Sequence, residues 1–332
     1  MKSLRIPPKW QSLVRKGVYS REFGIFLTLI ALSTFFYFTS RRHSFVSVIN
    51  IQTILKIGSE LGIVTVGVAM LMICGEFDLS VGSMLGFSAL VMSSLYSKSG
   101  LSLPLALFIT LCVGAFMGAV NGLVTVKFGI PSFITTLGTM MWWRGMVYVF
   151  SAGFPTIFRP EETSPLFKSI FVGNVEGVPC QFVWFTIFTI ILAVMLNYHK
   201  FGNHVFATGG NKEAARAMGI NTDLTKVICF VVVGVLCAFA GVVQSTRARG
   251  AYALQGSGIE METIASTVIG GTSLFGGVGT ILGAFLGVLV LEVISSGLIT
   301  SGVSGYWFRC VIGVTVIGIV IANIMIERRR RS

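Results

Sequence analysis

Few residues in this chain put charge or a strong dipole inside apolar surroundings, and those few bound its chemistry. Glu76 and Asp78 stand two apart in Gly75-Glu-Phe-Asp-Leu-Ser-Val-Gly82, with Ser80 beside them, and Arg144 and Glu292 each lie deep in otherwise apolar runs. At the centre of a membrane helix such a charge costs about 2.5–3.5 kcal/mol on insertion scales. It is kept where a partner or a water-filled cavity offsets that cost. Two readings stand for Arg144. It pairs with Glu292 or shares one polar cavity with it, or, following Trp142 and Trp143, it snorkels to the membrane interface. Two also stand for Asp78. It holds the Gly-rich break in shape beside a solute path, or it caps the helix that starts at Ser80 to Ser83. Asn121, Thr135, Thr136 and Thr139 supply amide and hydroxyl groups that hydrogen-bond either a polyol or the neighbouring helices.

Catalytic constellations are missing from the sequence. It contains no GxxxxGK[ST] phosphate loop, no HExxH and no GxSxG, and its three histidines (His43, His199, His204) fall at the edges of apolar runs. The six cysteines show no CxxC or metal-type spacing and read as small buried hydrophobes, with Cys180 alone on the outer side and no disulfide expected. The chain is therefore expected not to be an enzyme and to hold neither a cofactor nor a metal.

One long interior segment is polar, residues 199 to 226, HKFGNHVFATGGNKEAARAMGINTDLTK. After a Gly209-Gly210-Asn211 turn, Asn211 suits an N-cap, Ala214, Ala215 and Ala217 favour helix, and Gly219 suits the position just past a helix end. With Glu213 and Arg216 this makes a short surface helix on a water-facing loop that runs on through Ile220. Either a partner grips it, or it only ties two membrane halves together.

The elements that position these residues follow from composition. Of 332 residues, 54% are hydrophobic and 11% charged, whereas a soluble domain carries about 25% charged residues. Thirty-nine glycines suit helices packed closely in lipid. The reading is an all-α polytopic membrane protein of about ten transmembrane helices, at 23–39, 58–74, 83–97, 103–126, 132–151, 181–197, 226–245, 261–274, 280–300 and 308–326, forming one domain over 1–332. The net charge of +12 gathers at membrane edges, in the basic segment 1–22 and at Arg328 to Arg331. That is a positive-inside pattern and not a nucleic-acid groove, so both termini and the 199–226 loop are expected in the cytoplasm. The longest outer loop, 152–180, is an ordered cap or a solvated crossover. Two Gly-rich breaks, 75–82 and 270–279, are each followed by a related string, VGSMLG at 81–86 and VGTILG at 278–283. Paired broken helices point to a solute path near the middle of the bilayer.

Four ordered motifs carry a family resemblance: GEFDLSVG (75–82), AVNGLVTVKFGIPSFITTLGTMMWWRG (119–145), ATGGNKEAARAMGI (207–220) and VIGGTSLFGGVGT (268–280). Over about 55–325 the chain resembles the ribose-type permeases of bacterial ABC sugar importers, within a superfamily that includes branched-chain amino-acid and nucleoside permeases. The resemblance implies an inner-membrane permease dimer, homo- or heteromeric, with a periplasmic solute-binding protein outside and ATP-binding subunits on the cytoplasmic loop. It implies that Gly210, Asn211, Glu213, Ala214, Ala215, Arg216, Gly219 and Ile220 form the coupling element, and that Asp78, Asn121 and the 131–138 segment lie near the path. Two positions depart from the pattern: Glu76 stands where a second Gly is common, and Glu292 is acidic in a span that is usually apolar. An ion-coupled secondary transporter, and a channel or scaffold-like subunit, are the competing functions.

Overall fold

The computed structural model describes residues 21–162, 164–308, 310–315, 317, 318 and 321. Residues 1–20 of the expected basic segment 1–22, and the Arg328 to Arg331 run, lie outside the described residues. In chain order the helices are α1 Arg21–Thr39, α2 Val48–Ile73, α3 Val81–Ser97, α4 Leu103–Phe128, α5 Ser132–Ser151, α6 Pro165–Val172, α7 Cys180–Tyr198, α8 Lys200–Gly210, α9 Lys212–Ala217, α10 Thr222–Ala248, α11 Ile259–Ile269 and α12 Ile281–Thr300. The chain is helical again at 307, 308, 310–315, 317, 318 and 321. Sheet is confined, among the described residues, to four two-residue strands: β1 Thr156–Ile157, β2 Asn174–Val175, β3 Val178–Pro179 and β4 Gly250–Ala251.

Nine of the ten expected spans have most of their residues in helix, that at 261–274 only as far as Ile269, and the tenth, 308–326, is helical at those of its residues that are described; this is an all-α multi-pass membrane protein. Six of the described helices (α1, α2, α4, α7, α10 and α12) are long and apolar enough to cross a bilayer, with α3 a shorter apolar helix. The outward faces of α4 and α5 carry Phe108, Phe116, Phe128, Phe133 and Trp142, all exposed, which suits lipid as the surrounding solvent.

The axis of the bundle is α2, buried at every residue from Gly58 to Cys74. Around it pack α7, α10, α11 and α12, while α3 and α4 lie on the far side of α10. α4 and α10 meet along a glycine seam. Gly114, Gly118 and Gly122, four apart on α4, face Gly234 and Phe230 on α10. A Cβ added at Gly114 would lie 2.5 Å from both Ala238 Cβ and the Gly234 carbonyl oxygen. In lipid no hydrophobic drive separates like from like, so such small-residue contact is what holds neighbouring helices together.

At one end of the bundle, the described residues of the 152–180 cap carry three short strands and α6. β1 pairs antiparallel with β4, and β2 with β3, the latter through a turn with both Glu176 and Gly177 at positive φ (49° and 87°). Phe158, Phe167 and Phe171 bury their rings, with Phe171 5.5 Å from Phe239 of α10. The opposite end carries α8 and α9.

Candidate functional site

The first break begins where α2 stops. Gly75, at φ 86°, donates its N–H to the Met72 carbonyl at 2.9 Å, and Glu76 donates to Leu71 at 3.1 Å. This reciprocal pair satisfies two end-of-helix carbonyls and needs a left-handed residue that glycine adopts without strain. The extended backbone that follows finds side-chain partners. Phe77 N–H donates to Ser132 Oγ at 3.1 Å, Leu79 N–H to Thr136 Oγ1 at 3.0 Å, and Ser80 N–H to Asp78 Oδ1 at 2.7 Å. Asp78 also accepts from the Ser80 hydroxyl at 2.6 Å and, through Oδ2, from Asn121 Nδ2 at 3.0 Å, while Asn121 Nδ2 reaches Ser80 Oγ at 2.8 Å. Asp78, Ser80, Asn121 and Thr136 are all fully buried.

The hydrogen bonds of Asp78 serve the break itself and α4. Ser80 occupies the N-cap of α3 without a side-chain capping bond, and both Asp78 oxygens are taken by Ser80 and Asn121. Exposed backbone in a bilayer needs such partners, and Ser132, which sequence reasoning passed over, supplies one. Thr135 is buried on the same helix, its hydroxyl without a hydrogen-bond partner. Glu76 takes a different partner, forming an ion pair with Lys226 of α10; their side chains are only 10% and 11% exposed.

The second break meets the first. α11 ends as α2 does, with Gly271 N–H donating to Val268 at 2.9 Å and Thr272 N–H to Thr267 at 3.1 Å. Gly277 N–H then donates to the Ile73 carbonyl at 2.8 Å, taking the last carbonyl of α2. Gly276 lies against two further glycines: a Cβ there would sit 2.8 Å from Gly75 Cα and 3.1 Å from Gly209 Cα. Both breaks and the last turn of α8 therefore converge on Ile73 and Gly75. The expected repeat of VGSMLG and VGTILG does not hold in three dimensions. Residues 81–86 lie wholly within α3, whereas 278–283 spans loop and the first turn of α12, whose N-cap Thr280 accepts from Gly283 N–H at 3.0 Å. The kinship lies in how α2 and α11 end.

The polar 199–226 segment is two helices and not a loop with one. α8 was not expected, and Gly209 and Gly210 were read as part of a turn. His199 caps it, accepting Phe201 N–H on Nδ1 at 3.1 Å, and the Gly209-Gly210 pair is its last turn and no free turn. α9 matches expectation at both ends. Asn211 Oδ1 accepts Ala214 N–H at 3.0 Å; Gly219, at φ 83°, donates to Arg216 at 2.9 Å and Ile220 to Ala215 at 3.0 Å. Ala215 is buried, while Glu213, Ala214, Arg216, Ala217 and Met218 face outward. Arg216 binds both oxygens of Asp223 at 2.7 Å and Thr222 Oγ1 at 2.9 Å, fixing α9 to the first turn of α10.

Arg144 and Glu292 do not come together. Arg144 Nη1 donates to the carbonyls of Ala253 (2.9 Å) and Gln255 (2.8 Å), which anchors the connection between β4 and α11 and leaves the guanidinium unpaired with Glu292. Glu292 is buried against Gly58, where an added Cβ would lie 2.7 Å from its Cγ. Another pair of charges meets between α2 and α10: Arg247 of α10 donates through Nε (2.5 Å) and Nη2 (2.9 Å) to the two oxygens of Glu60 on α2. Sequence reasoning missed it because Glu60 stood at the start of one expected span and Arg247 just past the end of another. An opposite pair of charges bordering apolar runs was the available signal.

Residues 50–320, a stretch that takes in both breaks and α8–α9, match the model of the family described as branched-chain amino acid transport system / permease component. The chain belongs to that family. It is 34% identical over 281 residues to the ribose import permease protein of Escherichia coli strain K12, covering 84% of this chain and 87% of that one. Over 314 residues it is 31% identical to the xylose/arabinose import permease protein of Sulfolobus acidocaldarius (92% and 86% covered). It is also 31% identical over 322 residues to the galactose/methyl galactoside import permease protein of E. coli K12 (90% and 93%). These relatives are transport permeases and not enzymes. No solved structure matches.

Proposed function

We propose that this family member is the membrane-spanning permease subunit of an ABC importer, admitting a monosaccharide to the cytoplasm while a separate ATP-binding subunit hydrolyses ATP. One observation carries the reading: α9 is exposed, capped at both ends and pinned to α10, and it follows directly on α8, whose Gly209 sits where both breaks meet. An element that is fixed to the bundle yet open to solvent suits being gripped from outside. The names of the relatives supply the solute class, pentoses and hexoses.

In this reading the chain is a single permease domain of the plasma membrane, with both termini and α8–α9 in the cytoplasm. Gly210, Asn211, Glu213, Ala214, Ala215, Arg216, Gly219 and Ile220 form the surface for the ATP-binding subunits. The opposite cap faces a solute-binding protein, and a second permease copy completes the path. Asp78, Ser80, Asn121, Thr135 and Thr136 frame that path by fixing the first break. Proteoliposomes holding the chain with its ATP-binding subunits, supplied with the solute-binding protein, test it: radiolabelled ribose, xylose or galactose should accumulate only with ATP. Uptake without a nucleotide-hydrolysing subunit, or driven by an ion gradient, refutes the proposal.

A further inference from the structure

Glu76 is chemically out of place in the first break. Its neighbours Phe77, Asp78, Leu79 and Ser80 bond to α4, to α5 or to one another, whereas its carboxylate crosses to Lys226 of α10. Lys226 stands three residues after Asp223, so the two share a helix face. Asp223 holds Arg216 of α9. Two charge contacts, joined by one turn of α10, therefore lead from the exposed helix to the break. The second of them is enclosed, with side chains 10% and 11% exposed. Separating two such charges without new partners is strongly opposed, so a displacement of α9 that carries the first turn of α10 must carry Glu76 as well. The backbone route through Gly209 reaches the same point, since Gly276 packs between Gly209 and Gly75.

We propose that the Glu76–Lys226 ion pair is a latch that makes the broken helix follow the docking helix, so that these two are positioning residues for transport and touch no solute. This rests on the permease reading above. The test uses the complete complex in proteoliposomes, with whichever of radiolabelled ribose, xylose or galactose the wild type accumulates, and reads solute moved per ATP hydrolysed. Glu76→Gln and Lys226→Met should each lower that ratio at least fivefold, and the exchange Glu76→Lys with Lys226→Glu should restore at least half of it. A merely structural pair would lower the yield of complex and leave the ratio unchanged, and that result overturns the latch. A second measurement needs no variant. Vanadate trapping of the wild-type complex should change backbone hydrogen exchange in residues 75–82 along with 207–220, and a change confined to 207–220 also overturns it. A wild-type complex that hydrolyses ATP but accumulates none of the sugars removes the permease reading and the latch together; a working wild type whose variants keep its ratio removes the latch alone.

Discussion

Glu60 and Arg247 offer the sharpest energetic test, because their roles are unequal. The Glu60 side chain is 3% exposed, whereas that of Arg247 is 38% exposed and partly open to its surroundings. Arg247→Met strands a carboxylate in the interior. Breaking a buried pair in this way costs about 3–5 kcal/mol, and the partial exposure of Arg247 brings the expectation down to about 2–3 kcal/mol. Glu60→Gln is milder, about 1 kcal/mol, because the amide oxygen still accepts one guanidinium N–H and the remaining charge can be solvated. Once Gln replaces the stranded carboxylate, the double variant should lose no more than Glu60→Gln alone, so the two effects couple by about 2 kcal/mol. Titrating the purified chain with sodium dodecyl sulfate in mixed micelles, and following helix content, reads these differences. Additive losses in the double variant would refute the argument that Arg247 stabilises the fold chiefly by neutralising Glu60.

Three further outcomes follow from named contacts. Gly118→Ile should drive α4 from α10, since an added Cβ already meets Val231 Cα at 2.9 Å; overpacking of this kind costs about 1–3 kcal/mol, readable in the same titration, and a neutral result would mean the seam is not tight. Asn211→Ala removes the Ala214 N–H acceptor, a cap worth about 0.5–2 kcal/mol, and should raise hydrogen exchange in residues 212–217 while sparing α10; unchanged exchange would show the cap to be idle. Met218→Cys, with the exposed Cys112 and Cys310 replaced, should react with a membrane-impermeant maleimide in inside-out vesicles but not in intact cells, and the reverse pattern would invert the proposed orientation.

What was legible in the sequence was local. Runs of apolar residues placed ten helical segments because hydropathy is written along the chain, and α9 was legible to the residue because Asn211 and Gly219 act within one turn of themselves. Boundaries failed where polarity was spent on tertiary contacts. α2 begins at Val48 and not at 58, since Asn50 and Gln52 in its first turns bond to Phe45, Ser296 and Gly177 and so do not mark a loop. α8 was hidden for a related reason: its glycines break isolated helices, yet Gly209 is required where an added Cβ would strike the Ile73 carbonyl.

The functional residues divide along the same line. Asp78, Ser80, Asn121 and Thr136 were singled out as polar groups able to face a solute, and they are together, but their hydrogen bonds go mostly to one another and to the break. The polarity that identified them is the polarity needed to hold non-helical backbone in an apolar medium. A path residue and a frame residue therefore look alike in sequence, and only the partner at the far end separates them. Arg144 makes the same point from the other side: its depth suggested an acidic partner, whereas two carbonyls meet it. Glu76 is the converse case. Lys226 stands opposite it, and a carboxylate so enclosed is retained at acceptable cost only beside a cation. That pair joins the break to α10, whereas the hydrogen bonds of its neighbours run to α4 and α5.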